Sequence, residues 1–114
     1  MISGIFSAVF AMNNLAVGSD VAIFSGNAIH GGDAAYYYKG KYKLGDSKSI
    51  PITIEVVHHS GIPSPEFGPM LGSLVSLSGI LVEEGFTLTG HIKEQATQIV
   101  TLTMKRLDDL IENP

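Results

Sequence analysis

The stretch Gly31-Gly32-Asp33-Ala34-Ala35-Tyr36-Tyr37-Tyr38-Lys39-Gly40-Lys41-Tyr42 decides the fold class of this chain. A pair of glycines favours a bend, and the tyrosine-rich run that follows is typical of a β-strand. With a period of two, Tyr36, Tyr38 and Tyr42 fall on one face, whereas Lys39 and Lys41 fall on the other. The stretch therefore predicts a strand with one apolar face and one solvated face.

Similar strand-like runs recur along the whole chain, separated by Gly, Asn, Asp, Ser or Pro. We predict strands at residues 2–11, 17–24, 28–30, 35–44, 50–59, 73–82, 86–93 and 98–107. Seven or eight antiparallel strands joined by short loops favour an all-β, up-and-down barrel of lipocalin type, because closure removes exposed edges. At residues 107–112 the apolar side chains have helical spacing, which predicts a short C-terminal helix.

Composition limits the domain count and the class of protein. The 114 residues, 45% of them hydrophobic, are enough for one core, so residues 1–114 are predicted to form a single domain. A formal net charge of −4 argues against direct binding to nucleic acid. The first basic residue is Lys39 and no apolar run approaches the ~20 residues of a membrane span, so we expect a cytoplasmic protein without membrane contact.

The residue types that carry chemistry do not form a recognisable catalytic pattern. The chain has no cysteine, which excludes thiolate metal sites and cysteine nucleophiles. His58 and His59 are adjacent on a predicted strand and therefore point to opposite faces. The acidic pairs Glu83-Glu84 and Asp108-Asp109 fall beside a turn or in the tail, where solvated charge is usual. We therefore predict no catalytic residues, no metal and no cofactor.

The tyrosine face has two interpretations. Tyr36, Tyr38 and Tyr42 could form the barrel core, with Gly40 leaving room for a neighbouring ring. They could equally line a pocket for a small lipophilic ligand, together with Ile52 and Ile54 from the next strand. An eight-stranded barrel has room for either a filled core or one small ligand.

The first strand is apolar on both faces. Phe6, Ala8 and Phe10 share one face, and Ile5 and Val9 share the other. The second face needs a cover, which a partner subunit or the C-terminal tail could provide. We expect a homodimer with Ile5 and Val9 in its interface.

Several of these motifs occur in an order that resembles the GrlR-like family, small bacterial barrels named for a negative regulator of type III secretion. The resemblance covers nearly the whole chain and rests on these segments: Gly4-Ile5-Phe6 with Val9-Phe10, Gly31-Gly32-Asp33 with Tyr36-Tyr37-Tyr38 and Gly40-Lys41-Tyr42, residues 54–59, and residues 102–107. The resemblance implies an eight-stranded lipocalin-like barrel that dimerises. In the best-known member of the family, an exposed acidic loop sequesters a transcriptional activator.

The loop that corresponds to that acidic run contains Gly45, Asp46, Ser47 and Lys48, of which only Asp46 is acidic. We take these four residues as a candidate partner-binding loop whose partner differs from the known activator. The leading hypothesis is a non-enzymatic bacterial regulatory protein that binds another protein, for example a transcriptional regulator. The alternative is a lipocalin-type barrel that binds a small lipophilic compound.

Overall fold

A computed structural model describes residues 2–32, 35–43, 48–61, 74–92 and 95–111. All the regular structure in these residues is β-strand. The eight strands are β1 (Gly4–Met12), β2 (Leu15–Ser25), β3 (Ala28–Gly32), β4 (Tyr36–Tyr42), β5 (Ile50–His58), β6 (Leu74–Gly79), β7 (Gly85–Ile92) and β8 (Gln95–Asp108). The predicted strands thus exist, with shifted ends.

The strands form a closed barrel in sequence order. Each strand pairs antiparallel with the next, and β8 returns to pair with β1. Asn13 and Asn14 join β1 to β2 with φ values of 51° and 70°, as the two central residues of a type I′ hairpin turn require. The prediction of an all-β, antiparallel up-and-down barrel is confirmed.

The core fills the barrel interior with the inward side chains of every strand, as alternation requires. Three phenylalanine rings meet near the end of the barrel where β1 begins. The ring centroid of Phe6 lies 5.3 Å from that of Phe24 and 5.7 Å from that of Phe86, and Phe24 and Phe86 are 5.5 Å apart. These are tilted or edge-to-face contacts, the arrangement that aromatic pairs prefer.

The predicted C-terminal helix over residues 107–112 is wrong for the residues that the structure describes. Leu107 and Asp108 continue β8, and residues 109–111 have no regular structure. Asp108 pairs with Ile5 of β1, so the ladder that closes the barrel extends into the segment. A helix of six residues is too short to compete with this pairing. Glu112 lies outside the described residues.

Candidate functional site

The five residues predicted to line a ligand pocket all lie inside the barrel. These residues, each at most 4% exposed, are Tyr36, Tyr38, Tyr42, Ile52 and Ile54. Their strands, β4 and β5, are neighbours, with Tyr42 opposite Ile52. The structure thus brings the five together on one interior wall. That they bind a ligand stays a prediction.

Tyr38 packs as a core residue. Its ring meets Phe10 edge-to-face, with 5.2 Å between centroids and an interplanar angle of 83°. The phenol lies over Gly31, its cross-strand neighbour on β3, and fills the space that a Cβ on Gly31 would need. The glycine that accommodates a ring is therefore Gly31. At Gly40, a Cβ would instead come within 2.5 Å of the Thr53 carbonyl oxygen, so the missing side chain there admits the backbone of β5.

Tyr42 lies at the end of the barrel where β1 begins. Its hydroxyl donates a hydrogen bond of 3.2 Å to the carbonyl oxygen of Gly26, in the β2–β3 turn. Burial raises the pKa of the Tyr42 phenol above its usual value of 10.0, and a hydrogen bond with the backbone of Ile2 partly offsets this shift. The neutral phenol of Tyr42 therefore connects the β2–β3 turn to β4 by a hydrogen bond.

Inward-facing polar side chains also occur toward the opposite end of the barrel. Asp20, 8% exposed, is the one buried charged residue among those described, and it sits on the inward face of β2 opposite Ala8. On the other side, Tyr36 pairs with His58, and their ring centroids are 5.4 Å apart. Within the described part of the chain, Nε2 of His58 is buried and makes no hydrogen bond. His59 is exposed, so the two histidines face opposite ways as predicted.

Arg106 closes the end where β1 begins. It follows Leu102 and Met104 on the inward face of β8, and its guanidinium lies over the Phe6 ring at 5.7 Å from the centroid. Nη1 donates a 2.9 Å hydrogen bond to the Ser3 carbonyl oxygen, and Nη2 forms an ion pair with Asp109. Sequence reasoning missed this residue; its spacing of four and two residues from Leu102 and Met104 was the signal that places it on their face of the strand.

The outer surface of β1 and β2 carries no charge over most of its length. We call it the β1–β2 patch and define it by the outward residues Ile5, Ser7, Val9, Ser19, Val21 and Ile23. Val9, Val21 and Ile23 are 38%, 47% and 41% exposed, and Ile5 is half-buried opposite Ile23. Thr103 of β8 pairs with Val9 and extends the uncharged surface. Ile5 and Val9 thus lie on an exposed face, as a predicted dimer interface must.

The predicted partner-binding loop lies mostly outside the described residues. Gly45, Asp46 and Ser47 are not described, and Lys48 is exposed. Among the described residues, no three His, Asp or Glu side chains come together in a way that could hold a metal ion. His30 and His91 are exposed on β3 and β7, away from His58 in the interior.

A scan against protein-family models and a search of curated proteins both found no match to this chain. In the part of the chain that the structure describes, no helix is long and apolar enough to span a membrane.

Proposed function

We propose that this chain is a non-enzymatic regulatory protein of the cytoplasm that acts by binding other proteins. One observation carries the proposal: the interior is occupied by interlocking aromatic rings, whereas the outer surface has a continuous uncharged patch. Phe10 with Tyr38, and Phe6 with Phe24 and Phe86, pack at the usual distances of core rings. Recognition is then left to the outer surface of the barrel.

The first partner is a second copy of the chain, bound through the β1–β2 patch. Strands β1 and β2 make a face about 10 Å wide at ~4.8 Å per strand, and seven residues span about 24 Å. This footprint of roughly 240 Å² is less than a third of the ~800 Å² that each partner buries in a standard interface. We therefore expect a weak homodimer with a micromolar dissociation constant.

The second partner is a protein regulator, in line with the resemblance to the GrlR-like family. The binding loop in this proposal is Gly45, Asp46, Ser47 and Lys48. A transcriptional activator different from the one captured by the family's acidic loop is the expected class of partner, because Asp46 is the loop's single acid. No reaction is assigned to the chain.

The second candidate function is uptake of a small apolar compound. It is favoured by the position of Tyr36, Tyr38, Tyr42, Ile52 and Ile54 on one interior wall. It needs an internal cavity of at least ~300 Å³, the lower end of ligand pockets, in the bound state. The ring of Tyr38 packs against Phe10 and over Gly31, and so fills part of the interior. This packing supports the first candidate function more strongly.

Affinity capture with the tagged full chain in a native lysate of its own cells tests the proposal. We expect a stoichiometric protein partner in the eluate, identified by mass spectrometry, and no equimolar compound in an organic extract. The double charge reversal Asp46→Lys with Lys48→Glu should release the partner without changing the melting temperature. An equimolar apolar compound and no bound protein would favour the ligand-binding candidate instead.

A further inference from the structure

A groove of about 480 Å³ crosses the outer surface of strands β3 to β6. Its lining combines small or apolar residues with charged ones. Ala28, Gly40 and Leu74 belong to the first group, and Lys39, Lys41 and Glu55 to the second. We call this feature the lysine groove. It is a concave, partly apolar surface with cationic side chains around it.

The charges in the lysine groove do not balance within the described part of the chain. Nζ of Lys39 lies 3.9 Å from Oε1 of Glu55, but both side chains are about half exposed. The ion pair is therefore weak, and Lys39 can exchange Glu55 for another carboxylate. Lys41 lies between Ala28 and Thr53, which are uncharged, and no described carboxylate comes within 4 Å of its Nζ. Lys43, the next residue on this face, is also exposed. The groove therefore has an excess of positive charge on a chain whose formal net charge is −4.

We propose that the lysine groove binds an acidic, extended segment of a partner protein, in which carboxylates occupy alternate positions. This inference rests on the proposed function and specifies its partner. The carboxylates, which share one face of the extended segment, pair with Lys39 and Lys41. The aliphatic stems of the two lysines add apolar contact.

The spacing of the lysines fits such a segment. Lys39 and Lys41 are two residues apart on one strand face, which separates their Cα atoms by about 7 Å. An extended segment presents side chains of positions i and i+2 at the same spacing. A short segment that runs along β4 with carboxylates at alternate positions therefore matches the two lysines.

Two other occupants fit less well. A nucleic-acid backbone needs clustered cations, but the groove contains Glu55 and the chain is acidic overall. A second copy bound through the β1–β2 patch would sit on the opposite side of the barrel, since β5 is four strands from β1 in either direction. In that dimer both lysine grooves stay open and face outward.

Fluorescence polarisation of labelled peptides on the full chain tests the inference. The probe is a Glu-Leu-Glu-Leu-Glu peptide, and the uncharged control is Gln-Leu-Gln-Leu-Gln. We expect saturable binding of the acidic probe, with a dissociation constant below about 1 mM, that weakens as salt is added. Lys41→Glu should weaken it by about fivefold, the effect of losing ~1 kcal/mol of ion pairing.

Lys105→Glu is the matched control, because it makes the same change of charge at an exposed site on the outer face of β8. It should change the affinity by less than about twofold. A reversed probe, Lys-Leu-Lys-Leu-Lys, should bind Lys41→Glu more tightly than the wild type. Unchanged melting temperatures of both variants check that the barrel is intact.

Equal losses in Lys41→Glu and Lys105→Glu would overturn the inference, since the probe would then respond to net charge alone. Tighter binding of an oligothymidylate than of the acidic peptide would also overturn it. If wild type and Lys41→Glu captured a partner from lysate equally well, the proposed function would still hold. Only the assignment of the lysine groove as the binding site would be wrong. Probe binding that depends on Lys41, with no partner in the lysate, would support the groove and count against the regulatory role.

Discussion

The guanidinium group of Arg106 lies over the ring of Phe6, with 5.7 Å from Cζ to the ring centroid. Reaching this position requires a glycine nearby, because a Cβ on Gly4 would come within 2.8 Å of Nη1. Gly4 also has a φ of 148°, which side-chain-bearing residues rarely adopt. The glycine, the ring and the arginine therefore close one end of the barrel as a unit.

This unit predicts coupled effects on stability. Gly4→Ala should lower the free energy of unfolding by about 1 to 3 kcal/mol, from backbone strain and displacement of Arg106. In an Arg106→Ala background the same change should cost less, because only the strain remains. Urea denaturation of the four variants of this double-mutant cycle measures the coupling. Additive losses in the free energy of unfolding would mean that the stabilising contacts of Arg106 do not depend on Gly4.

Tyr38 is predicted to stabilise the barrel as a core residue. Tyr38→Ala should lower the free energy of unfolding by about 3 to 5 kcal/mol, because it leaves a cavity next to Phe10 and Gly31. Tyr38→Phe keeps the ring and should cost only about 1 kcal/mol. Chemical denaturation measures both. A small loss for Tyr38→Ala, together with weaker retention of a co-purified apolar compound, would instead indicate a ligand pocket.

The homodimer should depend on the β1–β2 patch. Val9→Lys introduces a charge into this uncharged face, so it should shift the protein to monomer without lowering the melting temperature. Sedimentation equilibrium over a micromolar concentration range measures the shift. Ser76→Lys, at an exposed position of β6, is the control and should leave the dimer intact. A wild-type chain that stays monomeric at high micromolar concentration would contradict the interface.

Tyr42 should make stability depend on alkaline pH. The folded-state pKa is raised above the unfolded value of about 10, so the stabilisation is complete below pH ~10 and is lost as the pH rises through the folded pKa. Wild type should therefore lose more melting temperature than Tyr42→Phe between about pH 9 and pH 11. Tyr37→Phe, at a 42% exposed position, should behave like wild type. Parallel curves of melting temperature against pH for wild type and Tyr42→Phe would show that Tyr42 is not the source of the alkaline loss of stability.

The alternation of residue types was sufficient to predict the barrel and the inward face of β4, since Tyr36, Tyr38 and Tyr42 repeat with a period of two. It also separated Ile5 and Val9 from the core. It could not predict the partners of Arg106, because Phe6 and Gly4 meet it only through closure between strands about 100 residues apart. The same long-range pairing overrode the helical spacing at Leu107. The local sequence pattern therefore predicts which face of a strand a residue occupies, whereas the residues that it contacts depend on the register between strands.

Closure also determines when this chain can fold. Ser7 Oγ donates to the Lys105 carbonyl oxygen, and Arg106 to that of Ser3, contacts that join residues 98 and 103 positions apart. During synthesis, the first strand can therefore complete its pairing only after the last strand has emerged. Chains dominated by such distant contacts fold in milliseconds to seconds rather than microseconds. Throughout that delay β1 can pair with β2, but its other edge stays unpaired and it carries apolar side chains on both faces, which favours aggregation of the nascent chain.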